Sequence, residues 1–200
     1  FDYRYVGEGN SVSRMIDVLR EVKDAAKPTL IHVRTLKGKG YKFAEENKEK
    51  WHWNVPFDIA SGESKVDMSG ENYNDITFDF LNEKIKKDKD VVILTAGTPG
   101  AFSLTPERRR LLGQNYVDVG IAEEHAVAMA SALAKGGCKP VFCVWSSFVQ
   151  RTYDQLSQDL AINNNPAVIL VFAGAISGMD VTHLGSFDIP LISNLSLIHI

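Results

Sequence analysis

The chain has 200 residues, of which 44% are hydrophobic and 24% are charged, and its formal net charge is −3 at pH 7. This composition is typical of a soluble chain with one sizeable core or two modest ones, and it favours neither nucleic acid nor a membrane as a partner. No apolar run approaches the roughly 20 residues of a membrane span, and the first ten residues lack the basic and hydrophobic regions of a signal peptide.

The first part of the chain predicts a helix followed by a strand. Residues 11–26 carry an apolar face at helical spacing, and the β-rich run 29–35 predicts a strand in which His32 has a structural role. A helix followed by a strand indicates the last αβ unit of a parallel sheet. The apolar positions of the predicted helix are Val12, Met15, Ile16, Leu19 and Val22.

A glycine- and lysine-rich turn follows this strand directly. Residues 36–41, LKGKGY, place backbone N–H groups and ammonium charges where they could meet a phosphate, although Lys-Gly pairs are also common in solvated turns. Residues 43–73 then lose all periodicity, which predicts a linker between two domains. Its aromatic residues indicate that the linker packs along a surface.

Alternating helices and strands predict a second parallel-sheet domain from residue 74 onward. We expect helices near 74–87, 106–112 and 149–163, and strands at 91–97, 139–145 and 166–172, all three strands buried. Three consecutive arginines at 108–110 point in different directions on a helix, so we interpret them as a solvated face. Cys138 and Cys143 are best explained as core thiols of a reducing cytoplasm, and we therefore expect a cytoplasmic protein.

The stretch 116–134, YVDVGIAEEHAVAMASALA, is the centre of this predicted domain. A β-branched run ends at Gly120 and changes into a helix that begins near Glu123, which places Glu123 and Glu124 at a strand-to-helix junction. Open parallel sheets bind their ligands at such junctions, although two acidic residues also suit the start of a helix. Alanines at helical spacing allow a second backbone or a flat ligand to approach closely: Ala122, Ala126, Ala130 and Ala134. We interpret Glu123 as functional.

The segment VDVGIAEEHA resembles the pyrimidine-domain motif of the transketolase family of thiamine-diphosphate enzymes. The most similar members have Glu-Gln-His where this chain has Glu123-Glu124-His125, and the resemblance extends through several motifs from about Tyr3 to Asn194. It implies an α/β protein with the parallel-sheet thiamine-diphosphate-binding fold. The implied parts are the end of a diphosphate-binding domain at 1–42, an interdomain linker at 43–73, and a truncated pyrimidine-binding domain at 74–194.

The resemblance also implies roles for individual residues. Glu123 would be the catalytic carboxyl group that bonds to the pyrimidine ring of the cofactor, and His183 would move substrate protons, unless its role is to staple a loop. Lys37 would contact the diphosphate, and the family's Phe-x-x-Arg motif makes Phe148 and Arg151 cofactor contacts. The implied substrate-binding residues are His52, Trp145, Asp180 and His183. For His52, packing of the Trp51 and Trp53 rings explains an ordered segment equally well.

The implied activity is a transferase that decarboxylates pyruvate and joins the two-carbon unit to glyceraldehyde 3-phosphate, for isoprenoid and thiamine precursor synthesis. The resemblance implies a homodimer with thiamine diphosphate and Mg²⁺, whose ligands we expect upstream because the sequence contains no Gly-Asp-Gly motif. Ala173 stands where members have an Arg for the substrate phosphate, and Trp145 stands where they have Tyr. A paralogue with another acceptor and a non-catalytic half-site subunit are therefore open alternatives.

The last six residues, 195–200, back-translate to a sequencing adapter. We therefore expect a non-native tail that lacks dense core contacts. We also expect the chain to be inactive by itself, because the metal motif of the family lies outside it.

Overall fold

The structure of the chain is a computed structural model that describes residues 1–67, 69–173, 183 and 185–195. The chain divides into two compact units, residues 1–69 and residues 70–200. Of the residues singled out in the sequence, Asp180 and 196–200 lie outside the described part.

The first unit is built on a β-α-β arrangement. Strand β1 (Asp2–Val6), helix α1 (Val12–Val22) and strand β2 (Thr29–Val33) follow one another, and the two strands pair in parallel. The predicted αβ unit of a parallel sheet is thus confirmed, whereas β1 was not predicted. His32 has the expected structural surroundings, because its Nδ1 lies 2.8 Å from the Tyr3 hydroxyl.

The apolar face of α1 lies largely at the surface. Val12, Ile16 and Leu19 are 74%, 42% and 51% exposed, and Val18 is the one buried residue of the helix. Two strands provide only a narrow surface, so a single side chain of α1 reaches the interior of this unit. The helix was predicted correctly, but its apolar face is not covered within the described residues.

The aromatic segment after β2 folds onto itself. Helix α2 (Lys42–Glu46) begins it, and the rings of Tyr41, Phe43, Trp51 and Phe57 pack together with centroid separations between 4.8 and 6.1 Å. Trp53 takes no part in this cluster and is 58% exposed. Packing of a Trp53 ring was therefore a wrong explanation for order in this segment.

The second unit contains a four-stranded parallel sheet in the order β4-β3-β5-β6, which confirms the predicted fold class. Its elements in chain order are α3 (Tyr73–Lys87), β3 (Val91–Thr95), α4 (Pro106–Leu112), β4 (Tyr116–Asp118), α5 (Glu123–Lys135), β5 (Lys139–Trp145), α6 (Ser146–Val149), α7 (Tyr153–Gln155), β6 (Val168–Phe172) and α8 (Asp188–Ser193). Short 3₁₀ turns lie at Pro99–Phe102, Gly113–Asn115 and Gln150–Thr152, and a π-helix spans Leu156–Ile162.

The alternation of side chains along the central strands produces two core layers. Successive residues of a strand point to opposite faces of the sheet, so Leu94 and Phe142 join a cluster with α5, whereas Ile93 and Cys143 join a cluster with α3. All five residues of β3 are buried. Both faces of the sheet are covered, as a parallel sheet requires.

Three expectations for the second unit are wrong in detail. The helical segment after β5 begins at Ser146 rather than near residue 149. Strand β6 is only partly buried, because β5 is its one neighbour among the described strands. Leu195 is buried in the same core cluster as Leu94, because it extends the apolar side of α8, so the expected lack of core contacts fails for this residue.

The arginines of α4 do not form the solvated face that was predicted. Arg108 donates a hydrogen bond to Asp75 and another to the carbonyl of Ser103, and its guanidinium stacks 4.3 Å from the centroid of the Phe78 ring. Only Arg110 matches the prediction, since it pairs with Glu107 in solvent. Arg108 differs because the first turn of α4 lies beside α3, which supplies both Asp75 and Phe78.

Replacing Asp75 with Asn should lower the free energy of unfolding at neutral pH and flatten its dependence on acid pH. Hydrogen bonds from Arg108 and Asn72 hold the pKa of Asp75 below its ordinary value. This carboxylate therefore stabilises the fold above its unfolded-state pKa, and the stabilisation is lost as the pH falls through the lowered pKa. Urea unfolding at pH 7 and pH 3 measures both effects, with Asp79→Asn, an exposed acid of the same helix, as the control. An equal difference between wild type and Asp75→Asn at both pH values would contradict this prediction.

Candidate functional site

The carboxyl ends of the four strands bring several loops to one edge of the sheet. Gly97 follows β3, Gly120 follows β4, Ser146 follows β5 and Ala173 follows β6. The strands are all parallel, so these positions share the edge at which open α/β sheets bind ligands. The Ser146 hydroxyl donates a 2.8 Å hydrogen bond to the carbonyl of Ala173, which joins two of the loops.

Asp118 joins the other two loops. One carboxylate oxygen accepts hydrogen bonds from the backbone N–H groups of Gly97 at 3.0 Å and Gly120 at 2.8 Å. The other accepts from the hydroxyls of Thr95 at 2.9 Å and Tyr116 at 3.2 Å. Burial raises the pKa of Tyr116 to about 12, so its hydroxyl remains a donor at neutral pH. This cluster was not predicted, although an Asp at a strand end two residues before a Gly could have indicated it.

Both glycines in this cluster are required by backbone geometry. Gly97 has φ +73° and Gly120 has φ +74°, values that L-residues rarely adopt. A Cβ atom on Gly97 would also lie 3.0 Å from the Ile121 side chain. The two turns can therefore approach closely just before α5 begins.

Glu123 is the first residue of α5 and is buried, with 2% of its surface exposed. A negative charge is favoured at the start of a helix, where free N–H groups point outward. Its Oε2 atom has no hydrogen-bond partner among the described residues. A buried acceptor without a hydrogen bond costs roughly 1–3 kcal/mol, so this oxygen is available to a hydrogen-bonding group that the described residues do not supply.

Arg151 lies between two neighbouring carboxylates. Its Nη1 atom is 3.2 Å from Oε2 of Glu123, and its Nε atom is 3.4 Å from Oε1 of Glu124. The first contact is close enough for an ion pair, but its angles do not give a hydrogen bond, which is why Oε2 remains without a hydrogen-bond partner. The structure therefore brings together two residues for which the sequence implied cofactor contacts, and adds Glu124.

Phe148 and His183 lie in edge contact, with ring centroids 5.3 Å apart. Phe148 belongs to α6, directly after β5, and Trp145 ends that strand. The Trp145 Nε1, Ser147 Oγ and Gln155 Oε1 atoms are buried without hydrogen-bond partners in the described part of the chain. Ser147 and Gln155 were not among the predicted site residues, because only their burial in the fold sets them apart from surface polar residues.

The small residues of α5 make room for a second backbone rather than for a ligand. Ala126 and Ala130 are fully buried in the core cluster that also contains Leu156 and Leu160 of the π-helix. The hydroxyl of Ser131, one residue further along α5, donates a 2.7 Å hydrogen bond to the carbonyl of Asp159 in that π-helix. Of the two interpretations of the alanine spacing, the structure supports close helix packing.

In the first unit, Lys37 and His52 contact each other, with the lysine Nζ atom hydrogen-bonded to the histidine Nδ1. Lys39 pairs with Glu45 at 3.8 Å and lines an open cleft of about 640 Å³ together with Arg34 and Lys48. Lys37 is not among the residues that line this cleft. The site roles of Lys37 and His52 stay predictions.

The described residues contain no cluster of three or more His, Cys, Asp or Glu side chains that could hold a metal ion. No helix in the same part of the chain is long and apolar enough to cross a membrane. Asp180, for which the sequence implied a substrate contact, lies outside the described residues.

Comparison with known proteins identifies a domain family and a group of similar enzymes. The transketolase pyrimidine binding domain matches residues 72–194. A 1-deoxy-D-xylulose-5-phosphate synthase from Symbiobacterium thermophilum is 38% identical over 189 residues, which are 94% of this chain and 29% of that protein.

Two further synthases of the same name have similar sequence identity and coverage. The protein from Caldanaerobacter subterraneus subsp. tengcongensis is 41% identical over 193 residues, with 95% of this chain and 31% of the relative covered. The protein from Rhodobacter capsulatus is 38% identical over 198 residues, with 98% and 31% covered. The chain thus spans less than one third of each of these relatives.

Proposed function

Because the chain belongs to the transketolase family, we propose that it forms the pyrimidine-binding part of a thiamine-diphosphate-dependent enzyme. The observation that carries this proposal is the buried Oε2 atom of Glu123, which lacks a hydrogen-bond partner at the ligand-binding edge of the sheet. A ring nitrogen that shares a proton with Oε2 would supply the missing hydrogen bond. The residues present therefore suit the pyrimidine end of the cofactor.

Three residues of the chain have separate roles at this site. Glu123 would hydrogen-bond to the pyrimidine ring through Oε2 and exchange a proton with it, while the Phe148 ring offers the flat apolar surface against which that ring would lie. When bound, thiamine diphosphate supplies the carbon nucleophile and the electron sink for decarboxylation of a 2-oxo acid. His183, in edge contact with Phe148, donates or accepts a proton at the substrate.

The substrates that we propose are pyruvate and glyceraldehyde 3-phosphate, with loss of CO₂, in a cytoplasmic homodimer that also binds Mg²⁺. The similarity to the synthases supports this choice. The test is to incubate the full-length protein with both substrates, thiamine diphosphate and Mg²⁺, and to measure CO₂ and the sugar phosphate formed. Protein that binds thiamine diphosphate but releases no CO₂ from pyruvate would contradict the proposed substrate.

A second candidate is a related transferase with a different acceptor aldehyde. Ala173 follows β6 at the ligand-binding edge and carries no charge, and Trp145 ends the neighbouring strand with its indole N–H buried and unpaired in the described residues. A phosphate group is normally held by cations or several N–H donors. An acceptor without a phosphate would need no cation at position 173.

Replacing Ala173 with Arg should strengthen binding of glyceraldehyde 3-phosphate by about tenfold, the gain typical of one charge-assisted hydrogen bond. Ala173 has φ +56°, and an arginine there adds no new backbone strain because alanine already carries a Cβ atom. The measurement is KM for the phosphorylated and unphosphorylated aldehydes in the full-length enzyme.

Ala173→Gln is the matched control, since it adds length without charge. A wild-type enzyme that already prefers the phosphorylated aldehyde strongly would contradict this prediction. In that case another cation of the enzyme binds the phosphate.

A further inference from the structure

The carboxylate of Glu124 faces Arg151 rather than the protein interior. Its Oε1 atom lies 3.4 Å from Nε of Arg151, and the same guanidinium lies 3.2 Å from the buried Oε2 of Glu123. The side chains of Arg151 and Glu124 are 48% and 39% exposed, whereas that of Glu123 is 3% exposed. One cation is therefore shared between a buried carboxylate and a half-exposed one.

This sharing determines whether Glu123 can bind anything else. A guanidinium with a single carboxylate partner tends to form two parallel hydrogen bonds, which would occupy both oxygens of Glu123. Here Arg151 uses a different nitrogen for each acid, and its contact with Glu123 lacks hydrogen-bond geometry. The contact of Nε with Oε1 of Glu124 is the other charged contact of Arg151 in the described residues, and it keeps Nε from pairing with Glu123 alongside Nη1.

We propose that Glu124 is a positioning residue that holds Arg151 and thereby keeps Oε2 of Glu123 open for the pyrimidine ring of the cofactor. The inference rests on the proposed function, because it concerns access to the same carboxyl group. What matters is an acceptor oxygen at the end of a side chain of this length. Glutamine provides such an oxygen, whereas methionine has similar length and no oxygen acceptor.

The test compares Glu124→Met, Glu124→Gln, Arg151→Met and the double variant Glu124→Met/Arg151→Met in the full-length protein. Calorimetric titration of the unloaded protein with thiamine diphosphate and Mg²⁺ gives the Kd of each variant. The midpoint of thermal unfolding, measured in parallel without cofactor, shows whether each variant is folded. Two comparisons separate a positioning role from a structural one: rescue by glutamine, and loss of the effect when Arg151 is absent.

We expect Glu124→Met to raise the Kd by about tenfold or more, because Arg151 then loses its contact with Oε1 of Glu124 and can pair with Glu123 through two nitrogens. Glu124→Gln should stay within about threefold of wild type, because it keeps an oxygen at the position that Nε of Arg151 contacts. In the Arg151→Met background, Glu124→Met should change the Kd by less than about twofold, because the two residues act through one contact.

Two results would overturn this inference alone. The first is tight binding by Glu124→Met, and the second is an equal loss of binding whether or not Arg151 is present. Failure of the wild-type protein to bind thiamine diphosphate would overturn the proposed function and this inference with it.

Discussion

Replacing Glu123 with Gln is expected to slow exchange of the thiamine C2 proton in the full-length protein by about two to four orders of magnitude, the range typical of lost acid–base catalysis. The amide keeps the shape of the side chain and fills the same buried space, but it cannot hold an acidic proton. Oε2 of Glu123 is the buried acceptor at the start of α5 that has no hydrogen-bond partner in the described chain. The exchange rate is measured by NMR after mixing with deuterated water.

The control for this experiment is Glu107→Gln, which removes an exposed carboxylate from α4 and should leave exchange unchanged. Thermal unfolding of both variants would show that any loss of exchange comes from chemistry rather than from a damaged fold. Exchange at the wild-type rate in Glu123→Gln would remove Glu123 from the mechanism and would contradict the proposed function.

Asp118→Ala is expected to lower the free energy of unfolding by about 2 kcal/mol, since several hydrogen bonds to a charged but exposed group are lost. The carboxylate accepts from Gly97 and Gly120 on one oxygen, and from Thr95 and Tyr116 on the other. Water can replace some of these bonds at the surface, so the loss is smaller than their sum. Urea titration with a constant m-value measures it.

Asp118→Asn is the matched variant, because it retains one acceptor oxygen and should lose roughly half as much. A loss below about 0.5 kcal/mol for Asp118→Ala would show that the two turns hold together without this carboxylate. The residue would then be an ordinary surface acid at a strand end.

Much of the second unit could be predicted from the sequence because its signals are local. The apolar runs that became β3 and β5 are short and rich in β-branched and aromatic residues, and the change of period at Gly120 correctly indicated the start of α5. Strand β1 was missed because four of its five residues are exposed and its sequence, DYRYV, does not look apolar. The coverage of α1 could not be predicted either, because periodicity shows which face is apolar and not what covers it.

For the same reason, only some of the site residues could be predicted. Glu123, Phe148, Arg151 and His183 lie in recognisable motifs, and the structure places each of them at or near the ligand-binding edge, although their roles stay predictions. The acceptor role of Asp118 depends on loops from two strands that are more than twenty residues apart in sequence. Contacts of that kind follow from sheet order, which no local pattern encodes.

Because Cys143 is buried, the rate at which its thiol is labelled reports opening of the protein core. Burial raises the pKa of this thiol to about 12, so at pH 8 only about one molecule in ten thousand would carry the reactive thiolate, and the side chain is 2% exposed in the central strand β5. A thiol reagent can therefore modify Cys143 only when the sheet opens, whereas the half-buried Cys138, which lies directly before that strand, serves as an internal reference. The ratio of the two labelling rates measures how often the core of this domain opens under native conditions, without any denaturant.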